Sequence, residues 1–310
     1  MKNILLLNFF LISYLFSFDL DLFDKTLKNL IFDSIGQDHL ERIWVRNSQN
    51  GEIKFLIDLN NVQEFKSISG YNFLFDIDFD WGEIFAEIGS TNFYLLKKGS
   101  LIGKFDLERI IMGLCWLDRD NLAFAVLKEN NEVIITKYNL NDKSQKELFI
   151  FNEKYNEYFP SIYLKLNKEF YLIAFDYYNY TIAIYDIKKF KVIARRAEVR
   201  QKDIKNSLYI VKKERIGENG SISSQKYLIL KNKFGLDKEG NFFVLKDCNS
   251  NVFLERLIFS KGFWDLEGLS LKECPDFVFY HNGYFIFYSQ KNKKVSNLEY
   301  FNDKFINQKK

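Results

Sequence analysis

One local pattern returns along this chain: an apolar run, a polar turn, then a second run ending near Leu, Phe or Arg. It occurs six times, as RIWVRNSQNGEIKFLIDL (42–59), NFYLLKKGSLIGKFDL (92–107), EVIITKYNLNDKSQKELF (132–149), TIAIYDIKKFKVIARR (181–196), NFFVLKDCNSNVFLERL (241–257) and GYFIFYSQKNKKVSNLEYF (283–301). The ends of successive copies are 48, 42, 47, 61 and 44 residues apart. A lone hairpin cannot bury its apolar face, so units repeated at this interval must stack on one another.

Upstream of most hairpins lie two further β-type runs. NFLFDIDFD and GEIFAEIG precede the second, IMGLCWLDRD and NLAFAVLKEN the third, and SIYLKLN and EFYLIAFDYYN the fourth. Four short strands per block at a period of ~40–50 residues is the composition of a β-propeller blade. Alternation is imperfect, as expected for inner strands covered on both faces. The expectation is an all-β fold: a single six-bladed β-propeller over residues 19–310, with seven blades as the other count. Stacked β-sandwiches are the rival, and the regular spacing suits them less.

Two blocks carry a resemblance. TIAIYDIKKFKVI resembles the third and fourth strands of a WD40 blade, with Tyr185-Asp186 at the Trp-Asp position. FGLDKEGNFFVLKD resembles an NHL blade, with Asp237, Gly240 and Asn241 forming the turn. There is no Gly-His dipeptide, and Trp264-Asp265 falls outside the hairpin register. The resemblance therefore implies the blade plan and no particular family.

Composition fits this plan. Aromatics make up 18% of the chain, and Phe and Tyr favour pleated, half-buried surfaces. Two prolines and fifteen glycines leave the turns to Asn, Asp, Lys and Ser. A net charge of +3 argues against a dedicated nucleic-acid binder.

Residues 1–18 read as a signal peptide or N-terminal anchor: a short basic start followed by ILLLNFFLISYLFSF. The expectation is export to a periplasmic or other extracytoplasmic space, with membrane contact only through this segment if it is uncleaved. Cys115, inside GLCWL, reads as a buried small hydrophobe. A Cys248–Cys274 disulfide is open in an oxidising compartment, but sequence does not supply its geometry.

Chemistry-bearing residues are sparse. His39 and His281 read as two ordinary polar surface or turn residues, able to meet only if ring closure makes the first and last blocks neighbours. Asp76, Asp78 and Asp80 alternate, as do Asp118 with Asp120 and Asp237 with Glu239. Carboxylates in a propeller channel can hold a hard cation such as Ca²⁺. All three groups fall at breaks between strands, however, where Asp bonds its own backbone, so turn chemistry is the preferred reading. No P-loop, G-x-G-x-x-G, G-x-S-x-G or H-E-x-x-H occurs. No catalytic residue, metal ligand or cofactor is assigned.

The strongest asymmetry follows the fourth hairpin. From Lys188 to Arg215 there are eleven basic and three acidic residues. In a propeller this exit lies on the same rim as the DYYNY loop. Tyr177, Tyr178, Tyr180, Arg195, Arg196 and Arg200 are therefore the candidate contact surface, since Tyr and Arg are enriched at interface cores. The leading functional expectation is an exported, non-catalytic scaffold that binds envelope proteins. The alternatives are a metal-dependent, lactonase-like hydrolase with a divalent cation such as Ca²⁺, or a small-ligand or glycan receptor at the channel mouth.

Overall fold

The computed structural model describes residues 25–58, 61–152, 162–166, 171–176, 181–197, 234–237, 242–248, 251–260, 263–271, 275–281, 284–291 and 294–302. Residues 1–24, which hold the expected export segment, lie outside this set, and so does Cys274. Among the described residues, no helix is long and apolar enough to cross a membrane.

The described strands form six antiparallel sheets in chain order. The first holds β1 (Ser34–Gln37), β2 (Ile43–Asn47), β3 (Glu52–Asp58) and β4 (Asn61–Lys66). The second holds β5 (Phe73–Asp78), β6 (Gly82–Glu87), β7 (Asn92–Lys97) and β8 (Ser100–Asp106). The third holds β9 (Ile110–Asp118), β10 (Asn121–Leu127), β11 (Val133–Asn139) and β12 (Gln145–Asn152). The fourth holds β13 (Ile162–Leu166), β14 (Tyr171–Asp176), β15 (Thr181–Asp186) and β16 (Lys191–Ala197). The fifth holds β17 (Phe234–Leu236), β18 (Phe242–Cys248), β19 (Asn251–Ser260) and β20 (Phe263–Leu271). The last has three described strands, β21 (Phe277–His281), β22 (Tyr284–Lys291) and β23 (Lys294–Asn302).

The first strands of the sheets lie side by side: β1 by β5, β5 by β9, β9 by β13, and β17 by β21. Burial follows from this. In the third sheet, β9 and β10 are buried almost throughout, while β12 is largely exposed. Central strands therefore read as continuous apolar runs and outer strands as mixed ones. This is an all-β propeller arrangement.

Aromatic rings fill the joints between sheets. Phe75 packs near Trp44 across the first joint, and Phe93 lies 4.8 Å from Phe124 across the second. Phe149 stacks on Tyr185, Phe175 meets Phe242, and Phe243 meets Phe285 at the next three. Between the first and last sheets, Ile35, Ile43 and Val45 share a core with Phe277, Ile286 and Tyr288. Rings of this size bury large apolar areas with directional edge-to-face contacts, which suits the wedge between adjacent sheets.

The structure corrects the hairpin register. The hairpins at 92–107, 132–149 and 181–196 are the third and fourth strands of their sheets. Those at 42–59, 241–257 and 283–301 are the second and third. Every antiparallel turn looks alike locally, so a hairpin does not announce its rank within a sheet. The stretch before residue 38, expected as an edge strand or a short helix, contains both a helical turn at 25–28 and β1. Cys115 is buried and free, as expected.

Candidate functional site

The central strands converge on a small cavity. Residues 36–39, at and just beyond the end of β1, line it together with Asp76, Ile77 and Asp78 of β5, Trp116 of β9, and Lys165 and Leu166 of β13. Trp44 of β2 and Trp81, in the turn after β5, complete the wall. Four successive sheets thus contribute to the cavity. Its volume is about 30 Å³, which accommodates a small polar group rather than a whole drug-sized molecule.

His39 is the most elaborately held side chain there. Its Nδ1 lies 2.5 Å from Asp78 Oδ2, and its backbone N–H donates to the same oxygen at 3.2 Å. The imidazole stacks on Trp81, with ring centroids 3.8 Å apart and planes 14° from parallel. In the neutral ring, a carboxylate on Nδ1 favours the tautomer with the proton there, and Nε2 is then the acceptor. The His39 side chain is 19% exposed, while that of Asp78 is 2% exposed. An imidazole oriented by a buried carboxylate at the edge of a cavity is equipped for hydrogen bonding and for proton transfer.

The surrounding acids are arranged by N–H donors. Asp78 Oδ1 accepts from the backbone of Asp80 and Trp81, each at 2.9 Å. Asp38 Oδ1 accepts from the Leu40 and Arg42 amides, and its Oδ2 takes Arg42 Nε at 2.6 Å. Arg42 then reaches Asp80 through Nη2 at 2.7 Å. Burial pushes the Asp38 carboxyl above its ordinary value, nearby Asp78 pushes the same way, and Arg42 pulls it back. Asp76 Oδ2 accepts the Trp116 amide at 3.0 Å, bridging two first strands that share no backbone ladder. The Trp116 indole donates to the Gly82 carbonyl at 3.0 Å.

Asp38, His39 and Asp78 place candidate ligand atoms within 4.8 Å of one another. The donor set nonetheless fits a metal ion poorly. The Asp78 and Asp38 oxygens face N–H donors, and the Arg42 guanidinium already supplies positive charge beside them. The arrangement is a hydrogen-bonded network, not an open shell of oxygen ligands.

The structure distributes the sequence-derived candidates unevenly. Asp78 and Asp118 do close their own turns, the latter by accepting the Asp120 amide at 2.9 Å. Asp76, Asp78 and Asp80 do not act together: one caps Trp116, one holds His39 and one pairs with Arg42. His39 is a turn residue as expected, but not an ordinary one. Gln37 donates to the carbonyl of Tyr280 at 3.2 Å, so the first and last blocks are indeed neighbours. The side chain of His281 lies outside the described residues. So do Tyr177, Tyr178, Tyr180 and Arg200, whereas Arg195 and Arg196 are placed on β16 opposite Ala183 and Ile182. The sequence singles out neither Asp38 nor Trp44 and reads His39 as an ordinary turn residue, because their partners are set by the third dimension. The one available signal was the Asp38-His39 dipeptide at the end of a first strand.

No protein-family profile and no curated protein sequence matches the chain. Among solved structures, it is similar to virginiamycin B lyase from Staphylococcus aureus, in a catalytically inactive histidine-to-alanine variant with quinupristin. Identity is 11% and the TM-score 0.50, over 87% of this chain and 83% of that one. It is also similar to a putative 6-phosphogluconolactonase from Bacteroides uniformis, at 7% identity and a TM-score of 0.50 over 87% and 84% of the two chains. A third is the Cps50 (Swd1) β-propeller domain of Myceliophteria thermophila, at 8% identity and a TM-score of 0.42 over 87% and 85%. At these identities the likeness to the first two is one of fold alone, in keeping with the propeller arrangement of the sheets.

Proposed function

We propose that the six sheets are the blades of one ring and that the protein works through a small-molecule site at its channel mouth. His39 is the acid–base group of that site, and Asp78 and Trp81 are its positioning residues. The observation that carries this reading is the 2.5 Å contact between His39 Nδ1 and Asp78 Oδ2, made beside a cavity that four sheets line. A merely structural turn histidine has no need of an aromatic platform, a buried carboxylate and a cavity at once. The likeness to a lyase that loses activity with a histidine is consistent with acid–base use of such a site. The reading belongs with the small-ligand and enzymatic alternatives, without a required divalent ion.

Three of the chain's four tryptophans line the cavity, so their emission reports its occupancy. A panel of small polar compounds is therefore screened by tryptophan emission and thermal shift, on wild type and His39→Ala, with Ca²⁺ and EDTA as separate arms. Ligands that shift wild type and not the variant support the site. A ligand that binds both equally, or a response to Ca²⁺ alone, counts against it.

A second reading keeps the exported envelope scaffold. Val62 on β4, Leu101 and Ile102 on β8, and Ile150 on β12 are large apolar residues exposed on outer strands, a feature of contact surfaces. The Tyr177, Tyr178, Tyr180, Arg195, Arg196 and Arg200 rim belongs to this reading. Charge reversal at Arg195, Arg196 and Arg200 tests it: unchanged capture of envelope proteins would remove that rim.

A further inference from the structure

We infer that the hairpin joining β15 to β16 is a membrane-contact tip: Phe190 seats in the interface of an anionic lipid bilayer, and the lysines beside it meet the headgroups. This surface is separate from the His39 site, and none of its residues lines the cavity. Phe190 is 67% exposed, the most of any large apolar side chain among the described residues. Its backbone is left-handed, with φ at 53°. Glycine or asparagine is the usual occupant of such a position, because a Cβ there crowds the following carbonyl. The other non-glycine residues at positive φ among the described ones are Glu41, Lys98, Glu108, Asn131 and Lys143, all of them polar. Phe190 alone combines that backbone cost with an apolar ring turned outward, and packing within the fold offsets little of either. A backbone outlier of this kind points to use of the ring outside the fold.

The tip is held firmly from its base. Asp186 and Lys191 oppose one another across the turn, and the buried Asp186 accepts the Lys189 amide at 2.9 Å and its ammonium at 3.2 Å. Tyr185, one residue earlier, stacks on Phe149 of the third sheet. From Asp186 to Val192 the chain reads DIKKFKV, three lysines against one aspartate that is already engaged. Lys188, Lys189 and Lys191 are exposed, and Lys146 of the third sheet places its ammonium 5.6 Å from the Phe190 ring centroid. Glu147, next to Lys146, pairs with Lys128 and Arg109 instead. Four ammonium groups thus flank one protruding ring. An aromatic ring among lysines matches the two layers of a bilayer surface, an apolar boundary beneath anionic headgroups. A protein partner is the weaker match, because lysine is depleted from protein interface cores and a protruding turn offers no groove.

Sedimentation of the full chain with vesicles tests this, using phosphatidylcholine alone and an equal mixture with phosphatidylglycerol. The expected result is binding to the anionic vesicles only. Phe190→Asn is the informative variant, because asparagine suits the left-handed backbone. It should melt no lower than wild type, yet bind the anionic vesicles roughly tenfold more weakly. Lys188→Gln together with Lys191→Gln leaves the Lys189–Asp186 pair in place and should weaken binding about fivefold per lysine. Phe190→Trp should add emission that brominated lipids quench. Binding that is absent, equal on neutral and anionic vesicles, or unchanged in these variants overturns the inference; the last result assigns binding to another part of the chain, such as residues 1–18. Unquenched emission from Phe190→Trp overturns it too, as does a preference for oligothymidylate or an acidic peptide over the vesicles. A marked fall in the melting point of Phe190→Asn does the same, since the ring would then serve the fold.

Discussion

Gln37 donates from Nε2 to the carbonyl oxygen of Tyr280 across 243 residues of sequence. This bond joins the first strand of the first sheet to the first strand of the last. It does so at the edge of the cavity, because Gln37 also lines it. The contact between the first and last sheets and the wall of the cavity thus share one residue, Gln37.

That joint gives a first prediction. Tyr288 is 1% exposed, stacks on Phe277 at 4.8 Å, and lies 6.0 Å from Phe32. Its hydroxyl has no partner among the described residues, and burial pushes the phenol well above its ordinary value. Tyr288→Phe keeps the rings and removes the unpaired hydroxyl, so equilibrium denaturation should show equal stability or a gain of about 1 kcal/mol. Tyr288→Ala should cost roughly 3–5 kcal/mol by opening the joint. A large loss in the Phe variant would show that the hydroxyl is paired.

Arg46 is fully buried at the first joint. Its Nη2 donates to the carbonyls of Ile68 and Gly70 at 2.8 and 3.1 Å, Nη1 donates to Ser48 Oγ, and the guanidinium lies 4.5 Å from the Phe75 ring. Burial lowers its pKa to about 10, while Asp33 opposes that shift. Arg46→Ala leaves two buried carbonyls and the Asp33 charge without this cation, and should cost about 3 kcal/mol or more in denaturant titrations. Arg46→Lys should recover only part, since one ammonium cannot reproduce the planar fork. Equal stability of the Ala variant and wild type would contradict this account of the joint.

Glu83 supplies a pH dependence. Its carboxylate is 1% exposed and accepts from Gly99 N at 3.0 Å and Ser67 Oγ at 3.2 Å. Burial raises its pKa above 4.5 despite those bonds. The folded state therefore holds this proton more tightly than the unfolded chain does. The resulting stability is fully present below the unfolded value and is lost as pH rises through the raised folded one. Glu83→Gln should flatten that fall in denaturation midpoints measured upward from about pH 4. A slope identical to wild type would place the dependence elsewhere; Asp38, raised in the same direction, is the next group to test.

Much of this architecture is legible in the sequence, for a physical reason. Stacked sheets impose a strand-length periodicity, and apolar runs such as Ile110–Asp118 mark the strands that are covered on both faces. The rank of each hairpin is not legible, because run, polar turn and run recur at every depth: Asn47–Glu52 joins the second and third strands of its sheet, and Lys97–Ser100 the third and fourth. The site is legible only in pieces. Asp78 announces a turn, which it does close, but its second oxygen is claimed by His39 from another sheet. Gly36 looks like an ordinary strand glycine until the Trp44 ring is seen lying across it. Pairing across sheets depends on which strands reach the centre, and local pattern does not encode that.

The central claim is that Asp78 holds His39 so that Nε2 is presented to a ligand. With only two histidines in the chain, long-range ¹H–¹⁵N correlation spectra of the imidazoles, assigned with a His281→Gln variant, test it directly. On the alkaline side of its titration, His39 should show the Nδ1-protonated tautomer, lose that preference in Asp78→Asn, and shift at Nε2 when a site ligand is added. An Nε2-protonated ring, or an Nε2 signal unmoved by a ligand that changes tryptophan emission, would contradict it.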